Sequence, residues 1–295
     1  MWIYLRRRFG ALLGDMQISD WQRQDANTKQ AGVRACLNRY YWKLSSETEN
    51  SMLIGSWGKL TQVRPSHDID VLFLLPNEIY HRFEQRSGNQ QSQMLQEIKT
   101  ILAATYSQTT MRGDGQVVMV PFNTMPVEVV PGFRCSDNSI IVCDTNDGGR
   151  YKISTAEAEA RELAASDAFC NGNTRALARL MKRWARERNV PLKSFQLERL
   201  AIEFLSSWPY RHHDLFWYDW MVRDFLGYLR CRANGYLFMP GTNEMIALGC
   251  DWLSRTETAH AHAITACDYE RDNYEVLAGE KWQEIFGSGV PLRVT

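Results

Sequence analysis

No stretch of the chain stays apolar for the roughly 18 residues that a membrane-crossing helix needs, so no membrane span is expected. The start scatters its apolar residues around Arg6-Arg7-Arg8 and lacks the continuous apolar segment and small-residue cleavage site of a secretory signal. CxxC pairs are absent, and the seven cysteines are odd in number and far apart, which points to reduced thiols in a cytoplasm. Neither sign of charge is in excess, with Lys+Arg and Asp+Glu at 34 each. A chain that grips long nucleic acid usually carries a basic surplus, so that role is not expected, although a small basic pocket for one or two triphosphates is still allowed. There are no internal repeats and no low-complexity tract. Cys250, His260, His262 and Cys267 have a spacing that invites zinc. The stretch from Asp251 to Ala278 reads as helix, however, where residues two apart diverge and four ligands would not converge.

The 295 residues are 44% apolar and 23% charged, which suits a globular chain with one large domain or two packed lobes. Helical spacing runs from Ile18 to Leu44, followed by a short apolar strand at Ser51–Ile54 and a β-rich strand at Ile69–Leu75. Tyr80–Tyr106 reads as a helix interrupted between Arg86 and Gln93, and Gln116–Phe122 with Val127–Val130 reads as a hairpin. Beyond a composition shift near Arg150 the pattern turns helical: Thr155–Arg188, Leu197–Leu205, Leu215–Arg230 and Ala247–Phe286. The fold class expected is α+β, with a small mixed sheet lobe and N-terminal helix over 1–150 and a helical lobe over 151–295. The active site is expected in the cleft between the lobes.

The strongest chemical signal lies in Gly55-Ser56-Trp57-Gly58-Lys59-Leu60-Thr61 and, a few residues on, Arg64-Pro65-Ser66-His67-Asp68-Ile69-Asp70. Two residues apart on a strand, Asp68 and Asp70 leave the same face while Ile69 and Val71 go to the other. Carboxylates that close repel unless a cation sits between them, and hard oxygen ligands favour magnesium. A solvated strand end is the alternative for the pair. The Gly55-Ser56 turn upstream offers backbone N–H groups and a hydroxyl suited to phosphate. A third acid is needed to hold two ions, and Glu128 is the candidate, alone in the apolar run Val127-Glu128-Val129-Val130-Pro131. Its alternative is a place on the solvent side of an edge strand.

These motifs resemble the cGAS/DncV-like nucleotidyltransferases, the bacterial relatives of cyclic-GMP-AMP synthase and oligoadenylate synthase. Gly55-Ser56, Thr61, Arg64-Pro65, Asp68-Ile69-Asp70 and Val127–Pro131 follow the family pattern in order, as do Leu180-Met181-Lys182-Arg183-Trp184, Leu192–Glu198 and Trp282–Gly287. Two positions depart from it. Leu60 stands where the family usually has glycine, which would change the loop's shape, and Glu128 stands where most members carry aspartate, its extra methylene moving the carboxylate outward. The resemblance implies that Asp68, Asp70 and Glu128 are the catalytic and metal-binding acids for two Mg2+ ions, with Mn2+ as an alternative. It implies that Gly55, Ser56, Lys182, Lys193 and Ser194 contact phosphates, and that Phe195 stacks on a base. Read by themselves, Lys182 suits a surface lysine, Ser194 a helix cap, which is compatible with a phosphate contact, and Phe195 a core residue as well as a stacking one. The aromatic run from Trp208 to Trp220 reads mostly as core, and His212-His213 as a surface loop.

The function implied is synthesis of a cyclic di- or trinucleotide second messenger from ATP and GTP, with release of pyrophosphate, in antiphage signalling. A regulatory partner protein is allowed, and a downstream effector would bind the product rather than this chain. The rivals are a catalytically silent nucleotide-binding or scaffold protein, and a linear oligonucleotide or RNA nucleotidyltransferase.

Overall fold

The structure, a computed structural model, describes residues 2–66, 68–107 and 112–294, so His67 of the acidic motif lies outside the described residues. The fold is α+β. The chain folds as two compact units, one of Ile18–Leu60 and Ser66–Glu157, the other of Met1–Gln17, Thr61–Pro65 and Ala158–Thr295. The division therefore differs from a single cut at residue 150, because the first helix and a five-residue strap pack with the helical half.

The sheet unit contains α2 (Asp20–Leu37), β1 (Ser51–Leu53), the one-turn helix α3 (Gly55–Lys59) and β2 (Ile69–Leu74). α4 (Asn77–Glu84), α5 (Gln90–Thr105), β3 (Arg112–Asp114), β4 (Val117–Val120), β5 (Val127–Arg134), β6 (Ile140–Asp144) and β7 (Arg150–Ile153) follow. The strands form one sheet in the order β1-β2-β5-β4-β3, with β6 also paired to β5 and β7 to β6. β2 and β5 are parallel, from Ile69 opposite Val127 to Leu74 opposite Gly132. Alternation along these two strands decides what each face carries. Ile69, Val71 and Phe73 join Val127, Val129 and Phe133 in a core with Val33 and Leu37 of α2 and Met94, Ile98 and Leu102 of α5. Leu72 and Val130 point the other way, into a small cluster with Ile140 and Val142. A capping box starts α2: the Gln22 N–H donates to Ser19 Oγ at 3.2 Å and the Ser19 N–H to Gln22 Oε1 at 3.0 Å. The interruption expected after Arg86 separates α4 from α5, where Gly88 takes φ +81° and Asn89 Oδ1 accepts the Ser92 N–H at 2.8 Å.

The helical unit holds α1 (Leu5–Asp15), α6 (Ala156–Phe169, beginning at the boundary), α7 (Asn173–Glu187), α8 (Ser194–Ser207), α9 (Tyr218–Arg230), α10 (Leu253–Arg271) and α11 (Glu275–Phe286). A hairpin of β8 (Tyr236–Phe238) and β9 (Met245–Ala247) completes it. Phe9, Leu180, Trp184, Phe225, Trp282 and Phe286 anchor its core. The helix expected over 155–188 is two, because Asn171 and Gly172 both adopt left-handed backbone (φ +53° and +87°). Asn173 then fixes the break, its Nδ2 donating to the carbonyls of Arg211 and His213 at 2.8 and 2.7 Å. The helix expected over 247–286 is likewise replaced by β9, α10 and α11, with Asn273 (φ +61°) between the two helices. α1 is a helix that the sequence pattern does not announce. Its buried face includes Arg8, 1% exposed, whose Nε donates to the equally buried Glu270 at 2.7 Å. No helix among the described residues is long and apolar enough to cross a membrane.

Candidate active site

Asp70 and Glu128 stand directly opposite each other on the parallel strands β2 and β5. Their neighbours Ile69, Val71, Val127 and Val129 are fully buried on the helix-covered face, so alternation sends both acids to the opposite face, with Asp68 two residues before Asp70. Asp68, Asp70 and Glu128 each offer a carboxylate oxygen, and the three oxygens lie within 4.8 Å of one another. They are the one such group of three or more acids, histidines and cysteines found among the described residues, which leaves Cys250, His260, His262, Cys267, His212 and His213 outside any comparable cluster. The extra methylene of Glu128 thus does not carry its carboxylate away from the two aspartates.

Burial pushes the Glu128 carboxyl above its ordinary value, and the charge of Asp68 pushes it further the same way. A half-buried acid crowded by another acid is the environment that a divalent cation would relieve, and the all-oxygen donor set suits Mg2+ or Mn2+. Raised folded-state pKa means that ionising Glu128 costs stability in the metal-free protein. Below the unfolded-state pKa both states hold the proton and nothing is lost. As pH rises through the raised value, stability falls. Without metal, Glu128→Gln is therefore expected to melt above the unsubstituted protein near about pH 7, with the gap closing towards about pH 4. Added Mg2+ should reverse the order at neutral pH, and metal affinity should drop as acid protonates Glu128. Thermal melts across that range with and without Mg2+ check this; a pH-independent gap would remove it.

The turn before the strand is built around two glycines. Gly55 has φ +57°, and a Cβ placed on it would lie 1.9 Å from Asp70 Oδ2. Only a residue without a side chain fits both the backbone and the approach. Gly58 carries no signal of its own in the sequence, yet a Cβ there would sit 2.2 Å from the Leu53 carbonyl oxygen. The Ile54 N–H donates to the Asp70 carbonyl at 3.0 Å, and Trp57 Nε1 donates to Ser66 Oγ at 3.1 Å, so both ends of the loop are tied to the acidic strand's approach. Leu60 closes α3 with φ +58°, ψ +37° and remains 48% exposed. The backbone keeps the left-handed shape that a glycine would take, so the leucine does not remodel the loop. It is instead strained there, and Leu60→Gly should stabilise the protein by about 0.5–1 kcal/mol in urea denaturation. A loss of stability would mean that the leucine side chain contributes more than its backbone costs.

On the helical unit, Lys193 rather than Ser194 occupies the cap position of α8, with Ser194 as the first helical residue. A lysine cannot accept an N–H, and Gln196 supplies the local partner, its Oε1 accepting the Lys193 N–H at 2.8 Å. Lys193 and Ser194 are exposed. Phe195 is half-buried and belongs to no core cluster among the described residues. Lys182 has protein partners: its Nζ donates to Glu198 Oε1 at 2.5 Å, to Thr61 Oγ1 at 2.8 Å and to the Thr61 carbonyl at 3.3 Å. Of the aromatic run, Trp208 and Tyr218 are core, while Tyr210 and Trp217 stack at 4.5 Å on its margin.

The mixed sheet thus carries two acids two residues apart, with a third opposite the second of them on the adjoining parallel strand. The sequence matches the Second Messenger Oligonucleotide or Dinucleotide Synthetase domain over residues 4–166, more than half of its length. The chain belongs to that family, the cGAS/DncV-like nucleotidyltransferases. No curated protein matches the sequence. Among solved structures, the fold is similar to Escherichia coli MS115-1 CdnC in complex with HORMA-deltaN, at 15% identity and TM-score 0.70 over 97% of this chain and 98% of that one. CdnC with ATP is similar at 16% identity and TM-score 0.67, covering 99% and 100%. The Vibrio cholerae DncV cyclic AMP-GMP synthase in complex with the linear intermediate 5' pppA(3',5')pG is similar at 12% identity and TM-score 0.74, covering 98% and 96%.

Proposed function

We propose that this chain makes a cyclic di- or trinucleotide second messenger from ATP and GTP, releasing pyrophosphate, and that the product signals in antiphage defence. The carrying observation is the convergence of Asp68, Asp70 and Glu128 in a member of a second-messenger synthetase family. A 3′- or 2′-hydroxyl of one nucleotide attacks the α-phosphate of another; the new P–O bond forms as the bond to the β-phosphate's bridging oxygen breaks. The three acids would hold two Mg2+ or Mn2+ ions, which when bound supply positive charge to the attacking hydroxyl and the leaving pyrophosphate. Gly55 lets the turn backbone run against Asp70, and the Gly55-Ser56 N–H groups with the serine hydroxyl take phosphate oxygens. Lys193 and Ser194, exposed at the start of a 14-residue helix, offer an ammonium, a hydroxyl and N–H groups to phosphate. Phe195, outside the core, stacks on a base, an interaction worth about 1–3 kcal/mol. A second transfer on the linear intermediate closes the ring.

The protein works in the cytoplasm, and a regulatory protein partner would control it; the HORMA-deltaN protein bound to CdnC is the precedent. The test is incubation with all four NTPs and Mg2+, with mass spectrometry of the products before and after phosphatase. Phosphatase-resistant cyclic product is expected. A phosphatase-sensitive chain would favour a linear nucleotidyltransferase instead, and NTP binding without turnover a silent scaffold.

A further inference from the structure

The core of the helical unit encloses one acid more than its cations match. Arg8 and Glu270 are paired, Nε donating to Oε1 at 2.7 Å, and the rest of the Arg8 guanidinium is taken up by the carbonyls of Glu275, Pro291 and Leu292. Arg223 is paired with Asp224, its Nε donating to Oδ1 at 2.8 Å. Asp219, in the first turn of α9, is left without a cation of its own among the described residues. It is 1% exposed, its Oδ1 accepts the Trp220 N–H at 2.8 Å, and its Oδ2 has no hydrogen-bond partner among the described residues.

α9 packs along α10, which brings Glu270 and Cys267 to Asp219. Glu270 is fully buried and also keeps one oxygen without a partner among the described residues. Burial and the charge of Asp219 hold the Cys267 thiol well above its ordinary value, so it adds no charge of its own. Burial pushes the Asp219 carboxyl up to about 7, with the charge of Glu270 acting the same way. The Trp220 N–H, Arg223 and the Trp2 indole pull against that rise without cancelling it.

What closes over these groups is the segment before α1. The Trp2 N–H donates to the Glu270 carbonyl at 3.1 Å. Its half-buried ring meets Phe216 and Trp220 edge-on, with ring centres 6.3 and 6.5 Å away. The indole thus bridges the start of α9 and the end of α10. Trp2 has φ +52°, a left-handed backbone that bulky side chains avoid, so contacts rather than local preference hold the segment down. The next tie along α1, between Arg6 and Asp214, is solvent-exposed and adds little.

We propose that Asp219 and the Trp2 segment form a proton-operated latch, closed over the ends of α9 and α10 while the carboxyl holds its proton and loosened as the proton leaves. Ionised in the closed state, Asp219 would be a second buried anion beside a single buried pair, which costs more than a proton does. Opening lets water reach the carboxylate, which then titrates near its ordinary value of about 4. Closure is therefore fully favoured below about pH 4, weakens about tenfold per pH unit up to about pH 7, and is flat above that. The ceiling is about a thousandfold. The latch lies wholly within the helical unit and does not depend on the reading of Asp68, Asp70 and Glu128.

Amide hydrogen exchange on the full chain, corrected for the intrinsic pH dependence of exchange, tests this between about pH 5 and about pH 7.5. Residues 2–10 should exchange faster than Leu177–Trp184 of the α7 core at each pH, through a local opening. Their protection should fall by about tenfold or more across the range. Asp219→Asn cannot ionise, and its protection over residues 2–10 should stay level with pH. Trp2→Ala keeps every charge and removes the cover, so it should flatten the profile too, and it decides the matter if Asp219→Asn does not fold. A level profile in the unsubstituted protein overturns the latch, as does a slope that survives in Asp219→Asn or in Trp2→Ala. Exchange of residues 2–10 in step with the α7 core would also overturn it, since the segment would then open only when the whole unit unfolds.

Discussion

Replacing Asp68 and Asp70 together by alanine is expected to lower nucleotide turnover by about a thousandfold or more, while the metal-free protein melts no lower than before. The two halves of that expectation come from one arrangement. Three carboxylate oxygens gathered within 4.8 Å repel one another, and burial together with the charge of Asp68 holds the Glu128 carboxyl above its ordinary value. Removing two acids relieves the repulsion and costs no core packing, since the apolar side chains of β2 all lie to either side of them. The stabilisation that Mg2+ gives the unsubstituted protein should vanish in the same variant, because ligand-induced stabilisation needs a site in the folded state. Product assays and melts with and without Mg2+ check both. Substantial turnover in the double variant would remove the acids from the chemistry, and a large drop in metal-free melting temperature would mean that they serve the fold.

Strand alternation makes the acids readable in the sequence. Once Ile69, Val71, Val127 and Val129 are recognised as buried, Asp70 and Glu128 have one face left to occupy. That the two strands are neighbours and parallel, in a register setting residue 70 against residue 128, needs the fold. The helix breaks are readable in principle: Asn171-Gly172 is a turn signal, outweighed by the apolar periodicity on either side. α1 is harder. Its buried face carries Arg8, which disguises the stripe, and the acid that makes Arg8 tolerable lies 262 residues away. Lys182 shows the same limit. A motif can place it near phosphate, but its acceptors, Thr61 and Glu198, lie 121 and 16 residues off, and no local pattern brings them together. Leu60 marks the reverse case, where a substituted side chain suggests an altered loop and the backbone keeps its left-handed turn.

Gly55→Ala should be nearly as damaging as losing Asp70, although it adds one methyl group and removes nothing. The added carbon would fall 1.9 Å from Asp70 Oδ2 and 2.8 Å from its Cγ, far inside contact distance, so the carboxylate has to swing away. The strand cannot move to accommodate it. Asp70 sits in the parallel ladder opposite Glu128, its neighbours Ile69 and Val71 are fully buried, and its carbonyl accepts the Ile54 N–H one residue before the glycine. A side chain at φ +57° adds about 1–2 kcal/mol of backbone strain to the same loop. Turnover should therefore fall by about a hundredfold or more, with Mg2+-induced stabilisation largely lost and overall stability reduced by about 1–2 kcal/mol. Ser56→Ala, in the same turn, removes one hydroxyl and no backbone group, and should cost about tenfold or less in turnover through a weaker hold on NTP. If Gly55→Ala kept both turnover and Mg2+ stabilisation within a few-fold, the turn would have to yield where its contacts say it is fixed. The acids would then be insensitive to their closest neighbour, and the turn could not be what aims Asp70.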